Sequence, residues 1–142
     1  MKTLALRYSD NYAPSDGTIG EHEKLINKNG FVWYGKFGNK VSQQVINDVL
    51  EKGTAKVLFI KSGREDIYYA NVDKIQYNMP EEKYIPKYYS DSYDRVSVWF
   101  RITEFKKIDY DVVKDYYVIS SDKRLDIASK HSMNSCFIVE KR

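Results

Sequence analysis

The sequence predicts an α+β fold, in which a small curled β-sheet or barrel of five to six strands carries two to three flanking helices. The chain has 142 residues, enough for one domain with its own core, so residues 1–142 are expected to form a single domain. Strand and helix patterns alternate only as far as the second helix, which argues against a doubly wound parallel sheet. The rest of the chain is mostly a run of β-forming segments, which favours antiparallel pairing.

The first half of the chain contains two strand patterns and two amphipathic helices. The run TLALRY forms the first strand and ends at the turn-rich segment SDNYAPSDG. A helix follows, because Thr18 and Glu21 have the spacing of a capping box and the dipeptide Asn29-Gly30 is a stop signal. FVWYGKF is a short extended segment, and SQQVINDVLEKG is a second helix with Ser42 as its N-cap.

The second half of the chain is rich in β-forming residues. AKVLFIK and IYYANVDKIQYN are expected to form a hairpin around the turn SGRED, and SCFIVEK closes the chain as the last strand. RVSVWFRITEFKKI is the longest strand candidate, with Val96, Val98, Phe100 and Ile102 on its core face and Trp99 on the other. MPEEKYIPKYYSDSYD is a long loop, and DYDVVKDYYVIS is expected to be a short helix with an aspartate cap.

The composition indicates a soluble, cytoplasmic protein. The chain carries 23 basic and 20 acidic residues, and the net charge of +3 is too small to establish nucleic-acid binding by itself. No apolar run approaches the ~20 residues of a membrane span, and the single cysteine, Cys136, cannot form an internal disulfide. The unusual feature is the count of 13 tyrosines, a residue type that is common in strands and at binding surfaces.

Four short segments of the chain match features of a known family. LRYSDN is similar to a first strand with a polar loop after it, and NGFVWYG is similar to a G-x-W segment that follows a first helix. AKVLFIKSGREDIYYANV is similar to a central hairpin, and VSVWFRI to a long strand after a variable loop. In this order the segments resemble the PUA-like superfamily, and within it the EVE and YTH branches, which implies a PUA-like curled sheet or barrel.

The resemblance implies an aromatic cage for a modified or flipped base. In such proteins the tryptophan of the G-x-W segment and polar groups of the first loop wall the cage. Carried over to this chain, that implicates Trp33 with its neighbour Tyr34, together with Ser9 and Asn11. Trp33 has a structural alternative, which is to pack in the core between the two helices, and only the resemblance gives the cage reading equal weight.

The rest of the implied site comes from the variable loop and from nearby cations. The loop offers a second aromatic wall from Tyr84, Tyr88 or Tyr89. Lys36, Lys40 and Arg101 are the candidates for contacts with the nucleic-acid backbone, and DNA is favoured over RNA. Such domains often serve as specificity modules of modification-dependent restriction systems, so a nuclease or NTPase domain or subunit is an implied partner.

The residues offer little support for catalysis, and we expect a non-catalytic protein without a metal or other cofactor. His22 lies on the apolar side of its predicted helix, where a packed histidine is the common finding. Two other functions stay open. One is a protein-interaction or inhibitor module that uses the tyrosine-rich loop 84–93. The other is a metal-dependent nuclease that uses Glu65 or Asp66.

Overall fold

The computed structural model describes residues 2–61 and 66–142, and these residues form a seven-stranded mixed sheet with three α-helices. The strands are β1 (Lys2–Arg7), β2 (Val32–Phe37), β3 (Ala55–Ile60), β4 (Ile67–Gln76), β5 (Val96–Ile108), β6 (Tyr116–Val118) and β7 (Cys136–Lys141). The helices are α1 (Gly17–Asn29), α2 (Gln43–Val49) and α3 (Leu125–His131). The strand order is β2-β5-β4-β3-β1-β7-β6, in which β1 and β3 are parallel and the other neighbours are antiparallel.

The sheet is strongly curled, as the contact between Tyr34 on β2 and Phe59 on β3 shows. Three strand spacings separate these two strands, which in a flat sheet is a distance of about 14 Å. The two ring centroids are nevertheless 4.8 Å apart, with the rings at 80° to each other. The inner face of the sheet therefore wraps around one core, and the predicted curled α+β fold is confirmed.

Three hydrophobic clusters hold the domain together. The largest fills the inside of the curl and is covered by α1 and α2. A second joins α3, through Leu125 and Ala128, to Val118, Phe137 and Val139 at the β6 end of the sheet. A third lies on the outer face of β2 and β5, where the long loop after β4 packs over the sheet. Each face of β2 is therefore buried under a different part of the chain.

The start of α1 differs from the predicted capping box. The helix begins at Gly17, and its N-cap residue, Asp16, makes no side-chain capping bond. The carboxylate of Asp10 instead accepts a hydrogen bond from the Thr18 N–H at 2.9 Å, because the loop before the helix folds back over the first turn. Asp10 also pairs with Lys61 at 2.6 Å, which ties this turn to the end of β3. The predicted stop is confirmed, because Gly30 is left-handed at φ 89°.

In α2 and the central hairpin the local predictions hold. The Ser42 hydroxyl accepts a hydrogen bond from the Val45 N–H at 3.2 Å, as expected of the N-cap. Strands β3 and β4 pair antiparallel, as the predicted hairpin requires. The turn predicted at SGRED falls on residues 62–65, which lie outside the described part of the chain, and on Asp66.

The prediction for Val96 was wrong, because a bulge interrupts β5. Adjacent residues of β2, Lys36 and Phe37, pair with Val98 and Val96, so β5 carries one extra residue there. Val98 faces the inner core as predicted, whereas Val96 turns to the outer face and packs beside Trp99. Trp99 lies on the face opposite the inner core, as predicted, and is 1% exposed because the long loop packs over it.

The C-terminal third contains two elements that the sequence patterns did not predict. The segment expected to be one helix is a 3₁₀ helix, Tyr110–Asp115, followed by the short strand β6. The predicted aspartate cap is present, since the Asp109 carboxylate accepts from the Asp111 N–H at 2.8 Å. Strand β6 raises the strand count to seven, and α3 is a helix of 7 residues without a side-chain cap.

Within residues 2–61 and 66–142, no helix has the length and apolar content that a membrane span requires.

Candidate nucleic-acid interface

A cavity of about 140 Å³ lies at the seam of the curled sheet, where β2 faces the end of β1. We call it the seam cavity. It is bounded by the loop before α1, the first turn of α1, the long loop and the residue before β7. Its lining residues are Leu6, Arg7, Ser9, Tyr12, Thr18, Tyr34, Gly35, Lys36, Phe37, Tyr88, Tyr89 and Ser135. The lining combines aromatic rings with three serine or threonine side chains and includes no carboxylate.

Four tyrosine rings, together with Phe37, give the cavity its aromatic character. Tyr34 forms part of the floor from β2, and burial holds the pKa of its hydroxyl well above the usual value. Tyr88 is half-buried and stacks on Tyr89, with ring centroids 4.7 Å apart and planes 29° apart. Tyr12 stands at the rim with 69% of its surface exposed. Flat apolar faces of this kind suit a planar ligand, which stacks on them.

Tyr89 is fixed by a buried chain of hydrogen bonds. The N–H of Gly35 donates to the Tyr89 hydroxyl at 3.2 Å, and that hydroxyl lies 2.9 Å from Nε2 of His22. Nδ1 of His22 lies 2.7 Å from the carbonyl oxygen of Thr18. Because a carbonyl oxygen only accepts, Nδ1 carries the proton and Nε2 accepts from Tyr89. Tyr89 thus holds the long loop against α1 and β2 and is only 2% exposed.

His22 is neutral in this network. Burial lowers its pKa to about 4, although the hydrogen bond to the Thr18 carbonyl acts in the opposite direction. The ring is fully buried between the rings of Tyr34, Tyr88, Tyr89 and Phe105. The expectation of a packed histidine is confirmed, and His22 acts as a positioning residue for the loop.

Trp33 does not line the seam cavity. Successive residues of a strand point to opposite faces, so Trp33 and Tyr34 cannot wall the same side of β2. Trp33 is 6% exposed and packs on the outer face with Ile85, Tyr89 and Trp99. The structure therefore places Trp33 in a packed cluster, as in the structural alternative, but under the long loop and not between the two helices.

The two predicted polar residues of the first loop are placed differently from each other. Ser9 is exposed and lines the cavity, and its hydroxyl accepts from the Asn11 N–H at 3.2 Å. Asn11 is exposed and does not line it. Thr18, which the motifs did not indicate, lies inside the cavity and donates its hydroxyl to the Ser9 carbonyl at 2.7 Å. The aliphatic hydroxyl groups of the cavity therefore come from Ser9, Thr18 and Ser135.

The predicted cations occupy three different environments. The Lys36 ammonium donates to the carbonyl oxygens of Phe37 at 3.1 Å and Asn39 at 2.7 Å, and burial lowers its pKa. Lys40 is exposed, with its ammonium 5.0 Å from the ring centroid of Tyr77. Arg101 lies on the outer face, 4.1 Å from the Phe31 ring centroid. Lys40 is therefore the predicted cation that is best placed to contact an anionic backbone.

Tyr12, Thr18, Gly35 and Ser135 are cavity residues that sequence reasoning missed. The sequence could have indicated Tyr12 as a cavity residue, since it lies in the same turn-rich segment as Ser9. A signal also existed for Gly35, which sits inside a strand pattern where glycine indicates a close approach. Ser135 joins the cavity only because β7 pairs with β1, a long-range contact that local patterns do not encode.

The structure also bears on the two other functions. In the long loop, Tyr89 is buried against Trp33 and Trp99, whereas Tyr84, Tyr88 and Tyr93 are only partly buried, so part of their ring surface stays accessible to a protein partner. Glu65 lies outside the described residues, and the Asp66 carboxylate pairs with Lys107 at 2.9 Å. Within the described ranges, no group of three or more His, Cys, Asp or Glu side chains is arranged to hold a metal ion.

The fold and the cavity together define a small α+β domain with an aromatic-lined cavity at the seam of a curled sheet. In a comparison with protein families, the Pua-like family matches residues 4–139, so the chain belongs to the PUA-like family. Domains of this family are in general binding modules for RNA and other nucleic acids. The match is to the family as a whole, so the EVE or YTH subtype stays a prediction. Comparisons with curated proteins and with solved structures give no match.

Proposed function

We propose that this protein is a non-catalytic reader that binds a base, extruded from a nucleic-acid strand, in the seam cavity. The observation that carries the proposal is an aromatic-walled cavity that lacks carboxylates, in a domain of the PUA-like family. A base buried among carboxylates would bring its phosphate close to negative charge, and this lining avoids that repulsion. The tyrosine rings supply the stacking faces that hold a flipped base.

The residues of the cavity divide into two roles under this proposal. Tyr34 and Tyr88 contact the faces of the base, and Tyr12 at the rim closes over it. The hydroxyls of Ser9 and Ser135 read its edge, since a hydroxyl both donates and accepts hydrogen bonds. The Thr18 hydroxyl already donates to the Ser9 carbonyl, so it reads the edge as an acceptor. Tyr89 is a positioning residue, because its hydroxyl is already occupied by the His22 and Gly35 contacts.

The proposal extends to a modified base of the EVE or YTH type, in DNA more than in RNA. An added methyl group that fills apolar space contributes about 0.8 kcal/mol, which is a several-fold preference. Such a reader would serve as the specificity module of a modification-dependent restriction system, with a nuclease or NTPase domain or subunit as its partner. The support is the sequence resemblance together with the apolar rings of the cavity.

The experiment that tests the proposal is fluorescence-anisotropy titration of labelled DNA and RNA oligonucleotides with unmodified, methylated and hydroxymethylated bases. The diagnostic variant is Tyr12→Ala, since a side chain that is 69% exposed contributes little to folding. Loss of one stacked ring is expected to weaken binding by ~5- to ~150-fold. The matched control is Met79→Ala, which removes an exposed apolar side chain that lines none of the cavities described here.

The outcomes separate the parts of the proposal. Binding at low salt that depends on Tyr12 and not on Met79 supports base recognition in the seam cavity. A preference for one modified base supports the EVE or YTH type of reading. Absence of binding to every oligonucleotide at low salt would overturn the reader function, and equal binding by wild type and Tyr12→Ala would remove the seam cavity from it.

A further inference from the structure

The seam cavity is one of a row of three cavities. A second cavity of about 410 Å³ adjoins it, and the two share Lys36 and Ser135 as lining residues. A third cavity of about 480 Å³, beside α3 and β6, shares Asn134, Cys136 and Ile138 with the second. The three cavities are therefore neighbours along the start of β7, and we call this row of cavities the β7 groove.

The β7 groove has an uneven charge distribution. The chain carries 20 acidic and 23 basic residues, yet no aspartate or glutamate lines any of the three cavities. The basic residues that line them are Lys2, Arg7, Lys36, Lys40 and Lys123. His131 also lines the third cavity. In a chain of nearly balanced charge, a row of cavities lined by cations and by no carboxylate is complementary to a polyanion.

The five cations differ in how available they are to a ligand. Lys2 pairs with Asp48 at 2.9 Å, and Lys36 donates to two backbone carbonyls. Arg7 donates to the carbonyl oxygens of Ser129 and Ser132, so it fixes the end of α3. The remaining two, Lys40 and Lys123, are exposed and lie in different cavities of the groove.

We propose that the β7 groove binds the single strand that flanks the extruded base, with phosphates beside Lys40 and Lys123. This inference rests on the proposed function, because it takes the seam cavity as the site of the base. Val118, Ala128 and Phe137 give the third cavity an apolar side, against which the sugar or base of a flanking nucleotide packs. Ser120, Ser121 and Ser132 line the same cavity. In the proposed complex their hydroxyls donate hydrogen bonds to the phosphate backbone of the strand.

The test compares a short ligand with a long one. The protein is titrated with a labelled nucleoside monophosphate and with mixed-sequence single-stranded DNA and RNA of about six nucleotides, over a series of salt concentrations. The diagnostic variants are Lys123→Gln and Lys40→Gln. The matched control is Lys28→Gln, an exposed lysine that lines none of the three cavities.

Loss of one phosphate contact is expected to weaken binding of the longer strand several-fold and to reduce its salt slope by about 0.7. Binding of the monophosphate should be unchanged in Lys123→Gln, and Lys28→Gln should match wild type with both ligands. Circular dichroism of each variant verifies that folding is intact.

Two results would overturn the inference, and they differ in what they leave standing. If the longer strand binds through Tyr12 but Lys123→Gln and Lys40→Gln behave as Lys28→Gln does, the groove is not the path of the strand, and the reader function survives. If neither ligand binds, and the oligonucleotides with modified bases do not bind either, the reader function and the groove proposal fail together.

Discussion

A Cβ atom placed on Gly35 would lie 2.9 Å from Cζ3 of Trp99 and 2.9 Å from both methyl groups of Val96. Real Cβ atoms essentially never approach other heavy atoms so closely. Gly35 is therefore the residue of β2 that lets Trp99 and Val96 approach the strand this closely. The same residue donates its N–H to Tyr89, so one glycine serves both the outer cluster and the network that anchors the long loop.

We predict that Gly35→Ala destabilises the fold. Overpacking of a well-filled site costs about 1–3 kcal/mol, because Trp99 and the backbone must shift to admit the methyl group. The free energy of unfolding, measured by urea denaturation, gives the effect.

A second background tests whether a steric clash causes the loss of stability in Gly35→Ala. In a Val96→Ala background two of the three close contacts are gone, so Gly35→Ala should cost measurably less there. Equal costs in both backgrounds would show that the clash with Val96 is not the cause.

The pKa of His22 predicts how stability depends on pH. The pKa is about 4 in the folded protein and about 6.5 in an unfolded chain. Between these values the unfolded chain binds a proton that the folded chain does not, so the free energy of unfolding falls as the pH falls. The full difference is about 3 kcal/mol. Urea midpoints from about pH 7.5 to about pH 4.5 measure it.

A variant that cannot titrate isolates the contribution of His22. His22→Gln should be less stable than wild type at neutral pH and should lose less stability on acidification. His131→Gln removes the other histidine, which is exposed, and should follow the wild-type curve. A His22→Gln protein whose pH dependence matches wild type would contradict the assignment.

The placement of Trp33 predicts a loss of stability in Trp33→Ala. Truncation of a large buried aromatic side chain costs about 3–5 kcal/mol, since the space under Ile85 and Trp99 is left unfilled. Tyr12→Ala should change stability by less than about 0.5 kcal/mol, because its ring is mostly in solvent. Thermal unfolding of the two variants distinguishes them, and a Trp33→Ala protein as stable as wild type would place the ring elsewhere.

The parts of the fold that the sequence predicted are those that local periodicity encodes. Val98, Phe100 and Ile102 alternate with polar or outward residues, and all three are fully buried in the inner core. The cap of α2 and the stop of α1 at Gly30 are likewise short-range signals with a defined geometry. These features are therefore determined by residues that are close together in the sequence.

The parts that sequence patterns missed depend on contacts between distant segments. Trp33 is buried only because a loop about fifty residues later in the sequence packs on it through Ile85 and Tyr89. Ser135 enters the cavity only because β7 returns beside β1. Alternation along β2 did imply that Trp33 and Tyr34 face opposite ways, but it could not show which face adjoins an open cavity.

We predict that Tyr89→Phe, which removes the Tyr89 hydroxyl, destabilises the protein. The substitution keeps the ring that stacks on Tyr88 but leaves Nε2 of His22 and the N–H of Gly35 without their partner. Each buried group that loses its hydrogen bond costs about 1–3 kcal/mol, so a loss of several kcal/mol is expected for two such groups.

The matched control is Tyr93→Phe, since Tyr93 is a half-buried tyrosine of the same loop that packs near Trp99 and has no part in the network. Hydrogen exchange of the Gly35 amide, compared between wild type and Tyr89→Phe, should show faster opening in the variant. If instead the Gly35 amide stays as protected as in wild type and stability is unchanged, the Tyr89 hydroxyl does not hold the loop, and the cavity wall at Tyr88 must be fixed by ring packing alone.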